Sequence, residues 1–77
     1  MSRPIYIIAE EILKDWSPVN YAASPYLIAM LDLDTLRDNY GTDSGRDIVM
    51  YFLSNASSWR GPKAREIKAE LNSLLKG

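Results

Sequence analysis

The sequence predicts an all-α fold, a compact bundle of four helices in a single domain over residues 1–77, and three observations predict it. Apolar residues recur at three- and four-residue spacing in successive segments, Pro and Gly cluster between those segments, and no useful length of chain alternates apolar with polar. With 77 residues, 47% of them apolar, such a domain buries only about 60–65% of the surface its unfolded chain exposes. Nearly every large apolar side chain is therefore required by the core.

The first helix is expected from about Pro4 to Trp16. Ile5, Ile8, Ala9, Ile12, Leu13 and Trp16 share one face, and Glu10, Glu11, Lys14 and Asp15 lie opposite. Ser2 is placed to cap it, Pro4 suits the first turn, and Ser17-Pro18 ends it because the residue before Pro avoids the α region. The Ser-Pro pair recurs at 24-25. One short helical turn is expected at about 18–23, then a second helix from Pro25 with Ser24 as its cap; a single helix kinked at Pro25 is the alternative. Tyr26, Met30, Leu33 and Tyr40, with Leu27, Leu31 and Leu36, carry that helix to about Asn39, with a break possible at Leu33-Asp34. Gly41 follows as a left-handed C′ residue.

The third helix begins at Thr42 or Asp43, with Asp43 and Asp47 near the positive end of its macrodipole. Its core face is Ile48, Val49, Phe52, Leu53 and Ala56. Gly45, in its first turn, is expected to admit a neighbouring helix. Trp59-Arg60-Gly61 connects it to the last helix, which runs from Gly61-Pro62 to about Leu75 with Ala64, Ile67, Leu71, Leu74 and Leu75 on one face. The bundle is expected to close around Trp16, Trp59 and Phe52.

Composition narrows the chemistry. There is no Cys and no His, which removes thiolate nucleophiles, disulfides, zinc-thiolate sites and imidazole bases. The remaining carboxylates do not converge: Glu10 and Glu11 point about 100° apart on a helix, and neither Asp32–Arg37 nor Asp43–Asp47 has the ligand spacing of a calcium loop. Asp32 and Asp34 lie on different faces, while Asp34 and Asp38, one turn apart, are placed to share a cation. No metal, cofactor or catalytic residue is predicted, and the chain is read as non-enzymatic. No apolar run approaches the ~20 residues that span a bilayer, and Glu10, Glu11, Lys14 and Asp15 exclude a secretion signal, so a cytoplasmic location is expected. Asn55-Ala56-Ser57 matches the glycosylation triplet but carries no weight there.

The net charge of −1 conceals a division. Residues 1–55 hold four basic and eight acidic side chains, whereas 56–77 hold five basic and two acidic. Arg65, Lys68 and Lys76 form a stripe on the last helix, with Arg60 and Lys63 at its entrance, offering contact to an acidic partner or to phosphates. The competing reading pairs Lys63 with Glu66 and docks the basic helix beside the acidic first half. Tyr40-Gly41-Thr42 invites a helix-turn-helix reading, but Asp43 and Asp47 would then meet the DNA, so nucleic acid is disfavoured. Five Tyr and two Trp exceed what so small a core can hold. Tyr6 and Tyr51, each displaced about 100° from its helix's core face, would form an outward aromatic patch if they face outward together. Arg60 is placed to stack on Trp59. The candidate partner-binding residues are thus Tyr6, Tyr51, Arg60, Arg65, Lys68 and Lys76.

Arg3-Pro4-Ile5-Tyr6, Pro25-Tyr26-Leu27, Tyr40-Gly41, Ile48 through Ala56 and Trp59-Arg60-Gly61 give the chain a further character: it resembles small helical proteins encoded by tailed bacteriophages, notably those infecting actinobacteria. The resemblance spans most of the length and carries no active-site motif. It implies an accessory protein made in the host bacterial cytoplasm, acting by binding a host or phage protein or by self-association. A nucleic-acid-binding or DNA-mimicking regulator is the alternative, the mimic relying on Glu10, Glu11, Asp34 and Asp38.

Overall fold

A computed structural model describes residues 3–77; the expected cap Ser2 lies outside them. The elements in order are α1 (Ile5–Asp15), α2 (Ser24–Met30), β1 (Asn39–Tyr40), β2 (Asp43–Ser44), α3 (Gly45–Ser54) and α4 (Pro62–Lys76). The described chain is mostly helical, and α1 and α4 lie within a residue of their expected bounds. Two short antiparallel strands, pairing Asn39 with Ser44 and Tyr40 with Asp43, depart from the pure four-helix bundle. In sequence they carry no alternating run, because two residues per strand are too few to show one.

The larger departure is at α2. Spacing of Leu33, Leu36 and Tyr40 extends the helical pattern to Asn39, yet the helix ends at Met30. Residues 31–38 turn instead, and their backbone serves two other helices. Ile5 and Tyr6 donate their N–H groups to the carbonyls of Asp34 (2.9 Å) and Leu33 (2.9 Å), and Gly45 and Arg46 donate to those of Asp38 (2.6 Å) and Leu36 (3.0 Å). A helix continued to Asn39 would consume the Leu33 and Asp34 carbonyls internally, bonding them to the N–H groups of residues 37 and 38, and α1 would lose both acceptors. The turn is held by Asp38, whose carboxylate accepts from the N–H of Asp34 (2.8 Å) and Thr35 (3.2 Å), the local bonding that makes Asp and Thr poor helix formers.

The expected helical turn at 18–23 is likewise an irregular turn. Asn20 shapes it: its side-chain oxygen accepts from the Ala22 N–H at 2.8 Å, and its carbonyl accepts from Ala23 and Ser24. Ser24 is then the first residue of α2 and not its cap; Ala23 holds the cap position. Gly41 does take a positive φ of 65°, but at the β1–β2 turn, where a left-handed residue lets the chain reverse. Without a helix before Tyr40-Gly41-Thr42, the helix-turn-helix reading loses its first helix. At α3, Ser44 is the N-cap and its hydroxyl accepts from the Asp47 N–H.

Helices pack in the cyclic order α1, α2, α3, α4, each against the next and α4 back against α1. Ile5, Ile8, Ile12, Leu27, Met30, Leu33, Ile48, Val49, Phe52, Ile67 and Leu71 fill the interior. Trp59 closes one end, stacked on Trp16 at a centroid distance of 5.7 Å, with Phe52 edge-on to both. Its indole N–H donates to the Asp15 carboxylate at 2.9 Å, so the polar handle of a residue only 2% exposed is satisfied. Leu13 is expected in the core but emerges at its edge, exposed.

Candidate interaction surface

The basic half and the acidic half meet across α1 and α4. Arg3 bonds the Glu70 carboxylate through Nη2 (2.6 Å) and Nε (3.1 Å) and also bonds Glu11, while Lys63 reaches Glu11 at 3.7 Å and Glu66 at 4.0 Å. The Arg3 guanidinium holds the Glu11 carboxyl below its usual range, and the bonds to Glu70 and then Glu11 push the Arg3 pKa upward. Lys63 thus belongs to the internal pairing of the two charged halves.

The other basic candidates separate. Lys68 is half-buried and donates to the carbonyl oxygens of Ala56 (2.7 Å) and Trp59 (2.7 Å). It also lies 5.8 Å from the centre of the Trp59 ring, so the cation over that ring is Lys68, in the place expected for Arg60. Burial, and then the charge of Arg60, lower the Lys68 pKa below its ordinary 10.5. Its ammonium is spent on the turn between α3 and α4, which leaves little of it for a partner. Arg60 and Arg65 are exposed beside it, around a shallow depression that Gly61 and Ala64 also line. Lys76 lies at the other end of α4.

Tyr6 and Tyr51 are both partly exposed, at 37% and 51%. Tyr51 pairs with Tyr26 of α2, ring centres 5.5 Å apart, and among the described residues no aromatic pair joins it to Tyr6. The surface that forms around Tyr51 is different from the expected patch. Met50, 47% exposed, follows about 100° round α3 from Tyr51 and lines a groove with Leu53 of α3 and Leu75 of α4. Tyr26, Tyr51, Met50, Leu53 and Leu75 therefore follow one another from α2 across the outer side of α3 to α4. Met50 was the residue sequence reasoning passed over: its place opposite Gly45, Val49 and Phe52 on the helical wheel marks it as exposed, but only the seat of α4 makes it one wall of a groove.

Asp34 and Asp38 do not form a cation site, since the Asp38 carboxylate is committed to backbone N–H groups. Among the described residues no group of three or more metal-ligating side chains assembles, and no helix is long and apolar enough to cross a membrane. Comparison with family models, curated proteins and solved structures finds no match to this chain.

Proposed function

We propose that this chain is a non-enzymatic protein-interaction module, of the kind its resemblance to phage accessory proteins implies, and that it binds through the outer side of α3. The observation that carries the reading is the adjacent exposure of Met50 and Tyr51. In a domain this small, large apolar side chains are needed inside, and two neighbours left half in water, continuous with Tyr26, Leu53 and Leu75, form the kind of patch that partners cover. The basic residues of α4 contribute at its end through Lys76.

The test replaces Met50 with Glu and Tyr51 with Ala together. Neither contributes to the buried interior, so the circular dichroism spectrum is expected to be unchanged. Wild-type protein immobilised in host lysate is expected to retain a partner, identified by mass spectrometry, that the double variant releases. A partner retained equally by both, or no partner together with a strictly monomeric protein in sedimentation, defeats the reading.

A second reading, binding of nucleic acid, is favoured by one observation: Arg60 and Arg65 lie exposed together at the entrance of α4, with no ion pair to a carboxylate among the described residues. It predicts a salt-dependent mobility shift lost in Arg60→Glu/Arg65→Glu. Lys68 is unsuited to that test, because replacing it would disturb the turn it holds.

A further inference from the structure

We propose that the groove between α3 and α4 receives an acidic amphipathic helix from a partner protein, a proposal that rests on the interaction reading above and names its ligand. The groove is an open cleft of about 480 Å³ lined by Arg46, Met50, Leu53, Ser54, Asn72, Leu75 and Lys76. Its walls repeat at helical spacing. Positions 46, 50, 53 and 54 form one wall and 72, 75 and 76 the other, so both run along helix axes; Met50 and Leu53, about one turn apart, are the apolar side chains of the first wall and Leu75 is that of the second. A second helix laid between them meets Met50, Leu53 and Leu75 with its own residues at i, i+3, i+4 and i+7.

Charge selects the sign of that helix. Arg46 and Lys76 are both exposed at the rim, no carboxylate lines the groove, and neither cation makes an ion pair among the described residues. One Arg46 N–H bonds the Leu75 carbonyl, which holds the guanidinium at the groove's end with other donors free. Carboxylates flanking the apolar stripe of the incoming helix would meet both cations, and a basic helix would be repelled. A strand is a poorer occupant, because both walls are helices whose backbone groups are already bonded internally. A second copy is poorer as well, since two-fold pairing through this groove sets Arg46 and Lys76 against the same cations.

The experiment selects, on the immobilised full chain, from a displayed library of helical peptides with apolar residues fixed at i, i+3, i+4 and i+7 and all other positions free. Selected peptides are expected to be enriched in Asp and Glu. Their affinity, read by fluorescence anisotropy, is expected to fall about tenfold in Arg46→Gln/Lys76→Gln, to fall with added salt, and to vanish in Met50→Glu. Lys76→Glu alone serves if the Arg46 change disturbs folding. Peptides without acidic enrichment, or indifferent to the rim substitutions, overturn the acidic-helix proposal; if Met50→Glu/Tyr51→Ala still abolishes their binding, the broader interaction reading survives. Binding indifferent to both sets, or no binder above a blank surface, overturns the proposal, and the first of these removes the support for the broader reading too. A dimer in sedimentation that Met50→Glu dissociates assigns the groove to a second copy and overturns the proposal as well.

Discussion

Gly45 shows how much one missing methyl group can decide. It opens α3 with its N–H bonded to the Asp38 carbonyl, and a Cβ built there would stand 2.9 Å from the Thr35 carbonyl oxygen, 3.0 Å from that of Asp38 and 3.1 Å from that of Leu36. All three are backbone atoms of the turn that caps α1 and α3, so none can swing aside as a side-chain tip would. Its position in a first helical turn signals a close approach, but the neighbour is a loop and not the expected helix. Helix propensity alone favours Gly45→Ala by about 1 kcal/mol; the clash opposes it. Because the Leu36 and Asp38 carbonyls are fixed by the first N–H groups of α3 and that of Thr35 by the Asp38 N–H, Gly45→Ala is expected to lose about 1–3 kcal/mol in urea unfolding. A gain in stability would show that the turn yields.

At the scale of elements, the connections do what the helices cannot do for themselves. The 31–38 turn supplies carbonyls to the first N–H groups of α1 and α3, and Lys68 of α4 collects the carbonyls of Ala56 and Trp59 beyond the end of α3. Lys68→Met keeps the stem but takes the donor from the Trp59 carbonyl and leaves that of Ala56 with the Trp59 N–H alone, an expected loss of about 1–3 kcal/mol. The pH dependence has a definite sign. Since the folded pKa lies below 10.5, the unfolded chain binds the proton more tightly, and this group's contribution rises with pH through the window from its folded pKa up to 10.5. The stability difference between wild type and Lys68→Met is therefore expected to widen as pH approaches 10.5; a flat difference would mean the ammonium is not desolvated. The core faces of α1, α3 and α4 were legible because each follows one helical period to its end. The end of α2 was not: the apolar spacing continues past Met30, and what competes with the helix is demand for the Leu33 and Asp34 carbonyls from residues 5 and 6, which are distant in the chain.

For the molecule as a whole, the interior is a single cluster closed by Trp16, Phe52 and Trp59. Phe52 is fully buried, edge-on to both stacked indoles. Phe52→Ala is expected to cost about 3–5 kcal/mol, a large share of the roughly 4–12 kcal/mol that a domain of this length possesses at 0.05–0.15 kcal/mol per residue. Tryptophan emission in urea should show a variant close to its unfolding midpoint in buffer, and a cost under about 1 kcal/mol would contradict the buried position. The charged halves meet only in part. Arg3, Glu11, Lys63 and Glu70 join α1 to α4, whereas Arg46, Arg60, Arg65 and Lys76 remain directed outward.

The amino-acid sequence by itself determined the helical class, the faces of α1, α3 and α4 that form the core, and the absence of thiol and imidazole chemistry, because periodicity and composition are local properties. Tertiary structure alone decided where α2 stops, that Lys68 holds a turn while Lys76 stays free at a rim, and that Met50 and Tyr51 join Leu75 in one surface. Those outcomes depend on which distant backbone groups need partners and on which helix edges come to lie side by side, and neither is written in the spacing of residues along the chain.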